Sequence, residues 1–173
     1  LYEIAAKSPA PIVSYCGNID ILVNPKQFHK YFMPEYEKCA KVLHEHGKLM
    51  SVHMDGRIGA IKDLIAKTPI DIIEALHSPP MGDLPIGEAL SLWKDKVVWT
   101  GFPASVYTLG PEAVKKHALN LLREIGSGDR LVVEMSTENL VSNENLLMLT
   151  SVLENADLPL TKEKIDRIER SLA

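Results

Sequence analysis

Basic charge, cysteine and long apolar segments are all scarce in this sequence. Its 173 residues carry 19 Lys and Arg against 23 Asp and Glu, a net charge of −4. No basic stripe therefore indicates binding to nucleic acid or to an anionic membrane surface. No apolar stretch approaches the roughly 20 residues of a membrane span, and we expect no signal peptide. Glycine-rich phosphate motifs such as GxGxxG are missing as well, so we expect no nucleic-acid or membrane partner.

The two cysteines, Cys16 and Cys39, lie in different settings. Cys16 ends an apolar run, whereas Cys39 falls in a helical pattern. Two thiols without a matching framework favour a reducing, cytoplasmic compartment over a disulfide scaffold. Cys16 could be a thiolate ligand if it points into a site, but an isolated cysteine is more often a small buried hydrophobe.

Short apolar runs alternate with helical patterns along the chain. The predicted strands are Ile12–Cys16, Leu49–His53, Asp71–Leu76, Val97–Phe102 and Leu131–Met135. The predicted helices are Pro25–Gly47, Ile58–Lys67, Ile86–Trp93, Pro111–Ile125, Asn143–Asn155 and Thr161–Leu172. Pro34 predicts a kink or two consecutive helices in the first of these. The alternation predicts a parallel α/β sheet, and strands that are apolar on both sides are typical of sheets covered on both faces.

Polar residues follow every predicted strand, which favours a barrel mouth over the single ligand site of an open sheet. We therefore predict one domain over residues 1–173, the C-terminal portion of a TIM (β/α)8 barrel. Five strands cannot close a barrel of eight, and the first residues, Leu1–Lys7, are typical of the end of a helix. We expect the N-terminal strands to be missing from this chain or to come from a partner chain.

His53 and Asp55 are the first candidate site residues. Side chains alternate along a strand, so two residues spaced by one lie on the same side. Imidazole nitrogen and carboxylate oxygen are good ligands for zinc and for harder divalent metals, and Gly56 allows a sharp turn just afterwards. The alternative is that Asp55 and Gly56 form only a turn and that His53 is a packing residue.

Glu74 stands in a predicted buried strand, where a carboxylate is costly unless it is paired or bound to metal. The alternative for Glu74 is an ion pair with a helix lysine. His77 follows in a loop, where it contacts substrate or is simply solvated. Met81 could contact an apolar ligand from the stiff loop that carries two prolines. We interpret Asp83 as the N-cap of the next helix.

Glu134 ends the last predicted strand and could be a third metal ligand or a general base, because a catalytic zinc needs three protein ligands and an open position. Glu138 is interpreted as a loop residue or a helix cap. Asn18 and Asp20 end the first strand. They are either hydrogen-bonding substrate groups or turn residues before the long helix.

Five segments together resemble the uroporphyrinogen decarboxylase-like superfamily, and most closely its corrinoid-linked methyltransferases of the O-demethylase type. The segments are Phe28–Pro34, Leu49–Gly56, Asp71–Ala75, Pro79–Asp83 and Val97–Pro103. They follow one another in the order of the family and span nearly the whole chain. The resemblance implies a TIM barrel of about twice this length, of which this chain would supply about strands four to eight.

The resemblance carries over only in part. Zinc-dependent members bind zinc through a His-x-Cys on one strand and a cysteine near the last strand. His53 matches the histidine, Asp55 replaces the first cysteine, and Glu134 or Ser136 stands where the second would be. This departure places thiolate–zinc chemistry in doubt and leaves a nitrogen- and oxygen-liganded metal. The decarboxylases carry Gly-His-Gly after the last strand, and residues 134–138 lack it.

The resemblance implies a cytoplasmic methyltransferase that moves a methyl group from a small methylated substrate to a separate corrinoid protein. Zinc or another divalent metal is predicted at His53, Asp55 and Glu134, with Asp55 and Glu74 as catalytic residues and Asn18, Asp20, His77 and Met81 as substrate contacts. One alternative is a metal-free decarboxylase or lyase in which Asp55 and Glu74 act as acid and base. Another is a non-catalytic barrel fragment. A homo-oligomer is also expected, because missing strands would expose apolar edges.

Overall fold

The structure is a computed structural model that describes residues 1–15, 17–19, 23–135 and 141–172. It confirms an α/β architecture in which strands alternate with helices. The chain divides into two compact units, Leu1–Thr100 (unit 1) and Gly101–Ala173 (unit 2). In the described ranges no helix is both long enough and apolar enough to cross a membrane. The prediction of one domain stays a prediction.

The strands of unit 1 run parallel and lie side by side in chain order. They are β1 (Ile12–Tyr15), β2 (Leu49–His53), β3 (Ile72–Leu76) and β4 (Val97–Phe102), the last of which ends just beyond the unit boundary. The registers pair Ile12 with Leu49, Ser51 with Ile72, and Ile72 with Val97. Strands that run parallel in chain order need a crossover after each, and the predicted helices supply these crossovers. The predicted bounds of β2 and β4 are confirmed.

The helices of unit 1 form its outer layer. They are α1 (Tyr2–Ala6), α2 (Pro25–Gln27), α3 (Met33–His44), α4 (Lys62–Ile65) and α5 (Ile86–Leu92). The predicted helix Ile58–Lys67 is shorter than expected, since its first turn is a 3-10 segment, Gly59–Ile61. The core of unit 1 consists of fully buried side chains from the helices and the sheet, including Phe28, Tyr36, Leu43, Met50, Ile73 and Trp93.

The expected irregularity at Pro34 takes the form of a π-helical segment. Residues Phe28–Phe32 join α2 to α3, and Met33 N donates to Phe28 O, five residues back. A π turn adds one residue and accommodates a proline that lacks its own N–H, so the helix continues instead of breaking. Tyr31, on this segment, is 60% exposed.

Two buried lysines lie where strands of unit 1 begin, an edge that we call the lower rim. Lys48 precedes β2 and Lys96 precedes β4, and each ammonium donates to two carbonyl oxygens ahead of a neighbouring strand. The distances are 2.6 Å to Ser8 O, 2.6 Å to Ala10 O, 2.7 Å to Thr68 O and 3.0 Å to Ile70 O. The carbonyls of Thr68 and Ile70, which belong to buried residues, thereby receive a donor inside the protein.

The described residues of unit 2 form the last strand and four helices. They are β5 (Leu131–Met135), α6 (Ala104–Tyr107), α7 (Pro111–Glu124), α8 (Asn143–Glu154) and α9 (Lys162–Ser171). Pro111 opens α7, and Thr161 caps α9 through a hydrogen bond that its Oγ1 accepts from Lys164 N. Val132 of β5 is 42% exposed, so the expectation that every strand is covered on both faces is wrong for β5.

Candidate functional site

Three adjacent strands each bring one polar side chain to the edge of unit 1 where strands end, which we call the upper rim. His53 ends β2 and pairs in register with Glu74 of β3. Its Nδ1 lies 3.6 Å from Glu74 Oε1. Ser14 of β1 donates a hydrogen bond from Oγ to Glu74 Oε2 at 3.2 Å. One carboxylate therefore contacts side chains of β2 and of β1, the strand beyond it, through its two oxygens, and no helix lysine pairs with it among the described residues.

Asp55 lies on the opposite side of the His53 ring. Its Oδ2 is 3.8 Å from His53 Nε2, so the two residues face one locus as the alternation of a strand predicts. The side chains of His53 and Asp55 are both 38% exposed, whereas that of Glu74 is 23% exposed. An imidazole with a carboxylate near each nitrogen is a donor set for proton transfer or for a cation, and it is open to solvent.

The backbone of β3 is irregular where Glu74 leaves it. Ile73 pairs with Val98 and Leu76 with Thr100, so β3 holds one residue more than β4 over this stretch. Ala75 has a φ of +62°, the only positive value of a non-glycine residue in the described part of the chain. Such a bulge changes the direction of side chains and is frequent beside active sites.

The loops after β2 and β3 interlock beside this cluster. Asp83 Oδ1 accepts a hydrogen bond from Gly59 N at 2.8 Å. The prediction that Asp83 caps the following helix is therefore wrong. Pro85 occupies the N-cap position of α5 without a side-chain cap, and Ser78 Oγ accepts from Ile86 N instead. The carboxylate of Asp83, in the loop after β3, thereby links that loop to the segment after β2, where it satisfies the backbone N–H of Gly59.

The predicted substrate contacts are found in three places. His77 follows β3 and is half-buried, and its Nδ1 is buried without a hydrogen-bond partner among the described residues. Met81 is 42% exposed at the tip of its loop, and Asn18 is exposed after β1. Asp20 lies outside the described residues. The roles of all four stay predictions.

The predicted third ligand, Glu134, belongs to β5 of unit 2 and is exposed. Cys16, Ser136 and Glu138 lie outside the described residues. No group of three or more His, Cys, Asp or Glu side chains in the described ranges is arranged to hold a metal ion. Within unit 1, the candidate metal ligands on one side of the ring are therefore His53 and Asp55. Glu74 lies near the other nitrogen of the ring.

Two functional features were missed from the sequence. Ser14 is the one polar residue in the run Ile12–Tyr15 besides the terminal tyrosine, and that signal could have found it. The left-handed backbone of Ala75 has no signal in the sequence, since glycine is the residue expected there.

The comparisons with known proteins concern the fold. No protein-family model matches the chain, and no curated protein matches it significantly. Among solved structures, the chain is similar to a methyltransferase from Methanosarcina mazei, with a TM-score of 0.65 and 12% sequence identity. The match covers 97% of this chain and 46% of that protein. The chain thus spans less than half the length of the methyltransferase it resembles, and the likeness supports part of a barrel-like α/β fold.

Proposed function

We propose that this chain belongs to a methyltransferase that moves a methyl group from a small methylated donor to the cobalt of a separate corrinoid protein. The observation that carries the proposal is the His53 imidazole, which lies between Asp55 and Glu74 at the ends of parallel strands. Barrel enzymes place their chemistry at this end of the strands. The fold likeness to a methyltransferase supports the choice of reaction.

The ring of His53 has a carboxylate oxygen near each of its two nitrogens. A neutral imidazole carries a proton on only one nitrogen, so its other nitrogen presents a lone pair. Both nitrogens of His53 face carboxylate oxygens, at 3.6 Å and 3.8 Å. A lone pair opposite a carboxylate is repulsive unless a proton, a water molecule or a cation lies between them. The pair formed by Nε2 and Asp55 is therefore suited to hold a cation or to transfer a proton.

A divalent metal fits this donor set, since imidazole nitrogen and carboxylate oxygen are both zinc ligands. His53 Nε2 and Asp55 would hold it, and a ligand role for Glu134 stays a prediction from the sequence. A bound zinc or similar ion would supply Lewis acidity toward the heteroatom that carries the methyl group.

Other side chains of this protein have separate roles in the proposed reaction. Glu74 orients the ring through Nδ1, as partners of ligating histidines commonly do. When the carbon–heteroatom bond breaks, the methyl group passes to cobalt and the heteroatom keeps the electron pair. The proton that the heteroatom then takes would come from solvent water, because His53 Nε2 and Asp55 are the proposed ligands of the ion. His77, Met81, Asn18 and Asp20 are proposed substrate contacts, and the loop Pro79–Asp83 is the proposed docking surface for the corrinoid protein.

The first experiment measures the metal content of the purified protein. We expect nearly one zinc or other divalent ion per chain, lost in His53→Ala and retained in His46→Ala, whose histidine is exposed at the end of α3. If both the native protein and its reconstituted form lack metal, the metal-assisted mechanism is wrong.

The second experiment measures methyl transfer directly. Cob(I)alamin serves as the acceptor, and methoxybenzoates and methylamines serve as donors. Formation of methylcobalamin, followed by its absorbance, is expected with the native protein and not with His53→Ala. A native protein that methylates neither cob(I)alamin nor a corrinoid protein with any donor would contradict the proposed function.

A second candidate function is favoured by the same ring. Because His53 has a carboxylate near each nitrogen, it could relay protons between Asp55 and Glu74 in a metal-free decarboxylase or lyase. That activity would survive complete removal of metal by a chelator, whereas metal-assisted methyl transfer would be lost. Carbon dioxide release from carboxylated aromatic substrates in the presence of EDTA is the distinguishing measurement.

A further inference from the structure

Two segments of unit 1 repeat each other in sequence at an offset of 60 residues. We call Leu1–Tyr15 segment A and Ile61–Ala75 segment B. Four residues of segment A recur at matching positions of segment B, namely Ala6, Lys7, Pro9 and Ile12 as Ala66, Lys67, Pro69 and Ile72. Other matching pairs keep their chemical class, namely Glu3 with Asp63, Ile4 with Leu64, Ser8 with Thr68 and Val13 with Ile73. A short match of this kind carries weight only if the structure repeats as well.

The two segments fold alike. In each, a short helix leads into the first strand of a pair, α1 into β1 in segment A and α4 into β3 in segment B. The helices end on matching backbone hydrogen bonds, from Ser8 N to Ala5 O and from Thr68 N to Ile65 O, both at 3.0 Å. The repeat in sequence is therefore also a repeat of local structure.

The second strand of each pair then begins in the same register. The first amide of β2, Leu49 N, donates to Pro11 O, the carbonyl just before β1, at 2.9 Å. The first amide of β4, Val97 N, donates to Asp71 O, the carbonyl just before β3, at the same distance. The equivalence therefore extends beyond the two segments to the strands that pair with them.

The buried lysines of the lower rim occupy equivalent positions in the two pairs. Lys48 and Lys96 each stand immediately before the second strand, and each ammonium donates to the carbonyls four and two residues before the first strand. The acceptors are Ser8 O and Ala10 O for one lysine, and Thr68 O and Ile70 O for the other. A buried ammonium is costly unless its protons are bonded. Pairing of parallel strands does not require one, so its recurrence at matching positions indicates a common origin.

Segment B departs from segment A at the residue that joins the two strand pairs. Asp71 stands where segment A has Pro11. Asp71 Oδ2 accepts a hydrogen bond from Met50 N at 2.7 Å and lies 2.8 Å from His44 Nε2, while Asp71 N donates to Met50 O at 3.1 Å. Proline has neither an N–H nor a carboxylate. The aspartate therefore links β3 to β2, which belongs to the other pair.

We propose that unit 1 consists of two copies of one αβαβ module, in which Lys48 and Lys96 are equivalent anchor residues and Asp71 joins the copies. Each ammonium holds its own strand pair at the lower rim. At the upper rim the third residues of the two first strands, Ser14 and Glu74, are equivalent positions, and their side chains meet. The two copies thus bring matching positions with different chemistry to the candidate site. None of these contacts depends on the proposed function.

The first test detects the anchors in the native protein by NMR of the lysine ammonium groups. Protons of a buried, hydrogen-bonded group exchange slowly with water. We expect one slowly exchanging signal to be missing from Lys48→Met and another from Lys96→Met, whereas Lys94→Met, at an exposed position, retains both. Through its hydrogen bonds, each signal should show scalar coupling to its two acceptor carbonyl carbons, at residues 8 and 10 for one lysine and 68 and 70 for the other.

The second test measures by urea unfolding whether the anchors act separately. Lys96→Met should raise the equilibrium constant of unfolding at least about tenfold, and Lys48→Met about three- to tenfold. The second factor is smaller because Ala10 is exposed, so water can replace the lost donor. The two lysines precede strands that are two positions apart in the sheet, roughly 10 Å, and share no acceptor. The factor for the double variant should therefore be the product of the two single factors.

The proposed equivalence would be overturned by a native spectrum in which either ammonium lacks coupling to its two acceptor carbonyls. A double variant whose factor departs from the product by more than about threefold would show that the strand pairs do not act separately, and it would overturn the two-module architecture. If a methionine variant does not fold, the couplings in the native protein still identify the acceptors, because the carbonyl carbons are assigned through the backbone.

Discussion

The lower and upper rims of unit 1 are built from the same parallel strands, and they hold their polar groups in opposite ways. At the lower rim, Lys48 and Lys96 make short hydrogen bonds of 2.6–3.0 Å to carbonyl oxygens. Asp71 there accepts from Met50 N at 2.7 Å. At the upper rim, His53 meets its carboxylates at 3.6 Å and 3.8 Å, and it is partly exposed.

The difference indicates that the two rims serve different ends. Buried polar groups whose hydrogen bonds are satisfied stabilise a fold. The long contacts of His53, the left-handed backbone of Ala75 and the Nδ1 of His77, which has no partner among the described residues, each cost free energy locally. Barrel enzymes show the same division, with stability at the bottom of the strands and chemistry at the top. If the division holds here, substitutions at the lower rim should change unfolding, and substitutions at the upper rim should change the site.

The largest effect is expected at the lower rim, for Lys96→Met. Methionine keeps the length of the side chain but removes the ammonium, so the carbonyl oxygens of Thr68 and Ile70 lose a donor inside the protein. We expect a loss of about 2–4 kcal/mol in the free energy of unfolding, measured with urea. Lys94→Met, two residues away and exposed, should change it by about 0.5 kcal/mol or less. Equal effects of the two substitutions would contradict the stabilising role of the lower rim.

The next effect tests whether the upper rim is rigid. A methyl group on Gly82 would lie 1.9 Å from His77 O and 2.8 Å from Gly56 O. Both obstacles are backbone, so Gly82→Ala must push the two loops apart and should cost about 1–3 kcal/mol of stability. The control is Gly17→Ala, whose methyl group would meet the Tyr15 ring at 3.4 Å among the described residues. A Gly82→Ala protein with native stability and native His53 resonances would mean that the loops move freely.

Strain at Ala75 is expected to have a smaller effect and the opposite sign. The left-handed region costs an L residue about 1–2 kcal/mol, and glycine avoids this at the cost of extra freedom in the unfolded chain. Ala75→Gly should therefore be neutral or stabilising by up to about 1 kcal/mol. Ala113→Gly in α7 should be destabilising by about 1 kcal/mol. If Ala75→Gly is as destabilising as the helix control, the upper rim stores no backbone strain.

Much of the fold could be predicted because the spacing of apolar residues, which follows from which face of an element is buried, can be seen within a short stretch of sequence. The bounds of β2 and β4 follow from short, mostly apolar runs, and Pro111 marks the start of α7. The positions of His53 and Asp55 on one side follow from the pleat. These features depend only on neighbours in sequence.

The remaining features depend on contacts between distant segments. The pairing of Glu74 with Ser14, sixty residues away in the chain, requires the register of three strands, which periodicity does not give. Asp83 was expected to cap a helix because its sequence position fits a cap. Instead, its carboxylate accepts a hydrogen bond from the N–H of Gly59, which lies in another segment of the chain. A shift in register at Ala75 is likewise set by packing against β4.

The smallest effect is expected for His117, a histidine of unit 2 that has no carboxylate at hydrogen-bonding distance among the described residues. His117 lies edge-on to Phe102, with ring centroids 5.0 Å apart. Burial lowers the pKa of His117 below its usual value, and the charge of Glu124 opposes this only in part. The unfolded chain therefore binds a proton more readily than the folded one. The stability that His117 permits is complete above its unfolded pKa of about 6.5 and is lost as the pH falls through the folded value.

His117→Gln should therefore flatten the dependence of the unfolding free energy on pH below about 6.5, measured by urea titration at each pH. His29→Gln, an exposed histidine, should leave the slope unchanged. The two substitutions show how much of the acid sensitivity arises from the burial of His117. Any acid sensitivity that remains can then be assigned to other groups, including those of the upper rim. If the slope persists in His117→Gln and disappears in His53→Ala, the upper rim contributes to stability as well as to chemistry. The division between the two rims would then be wrong.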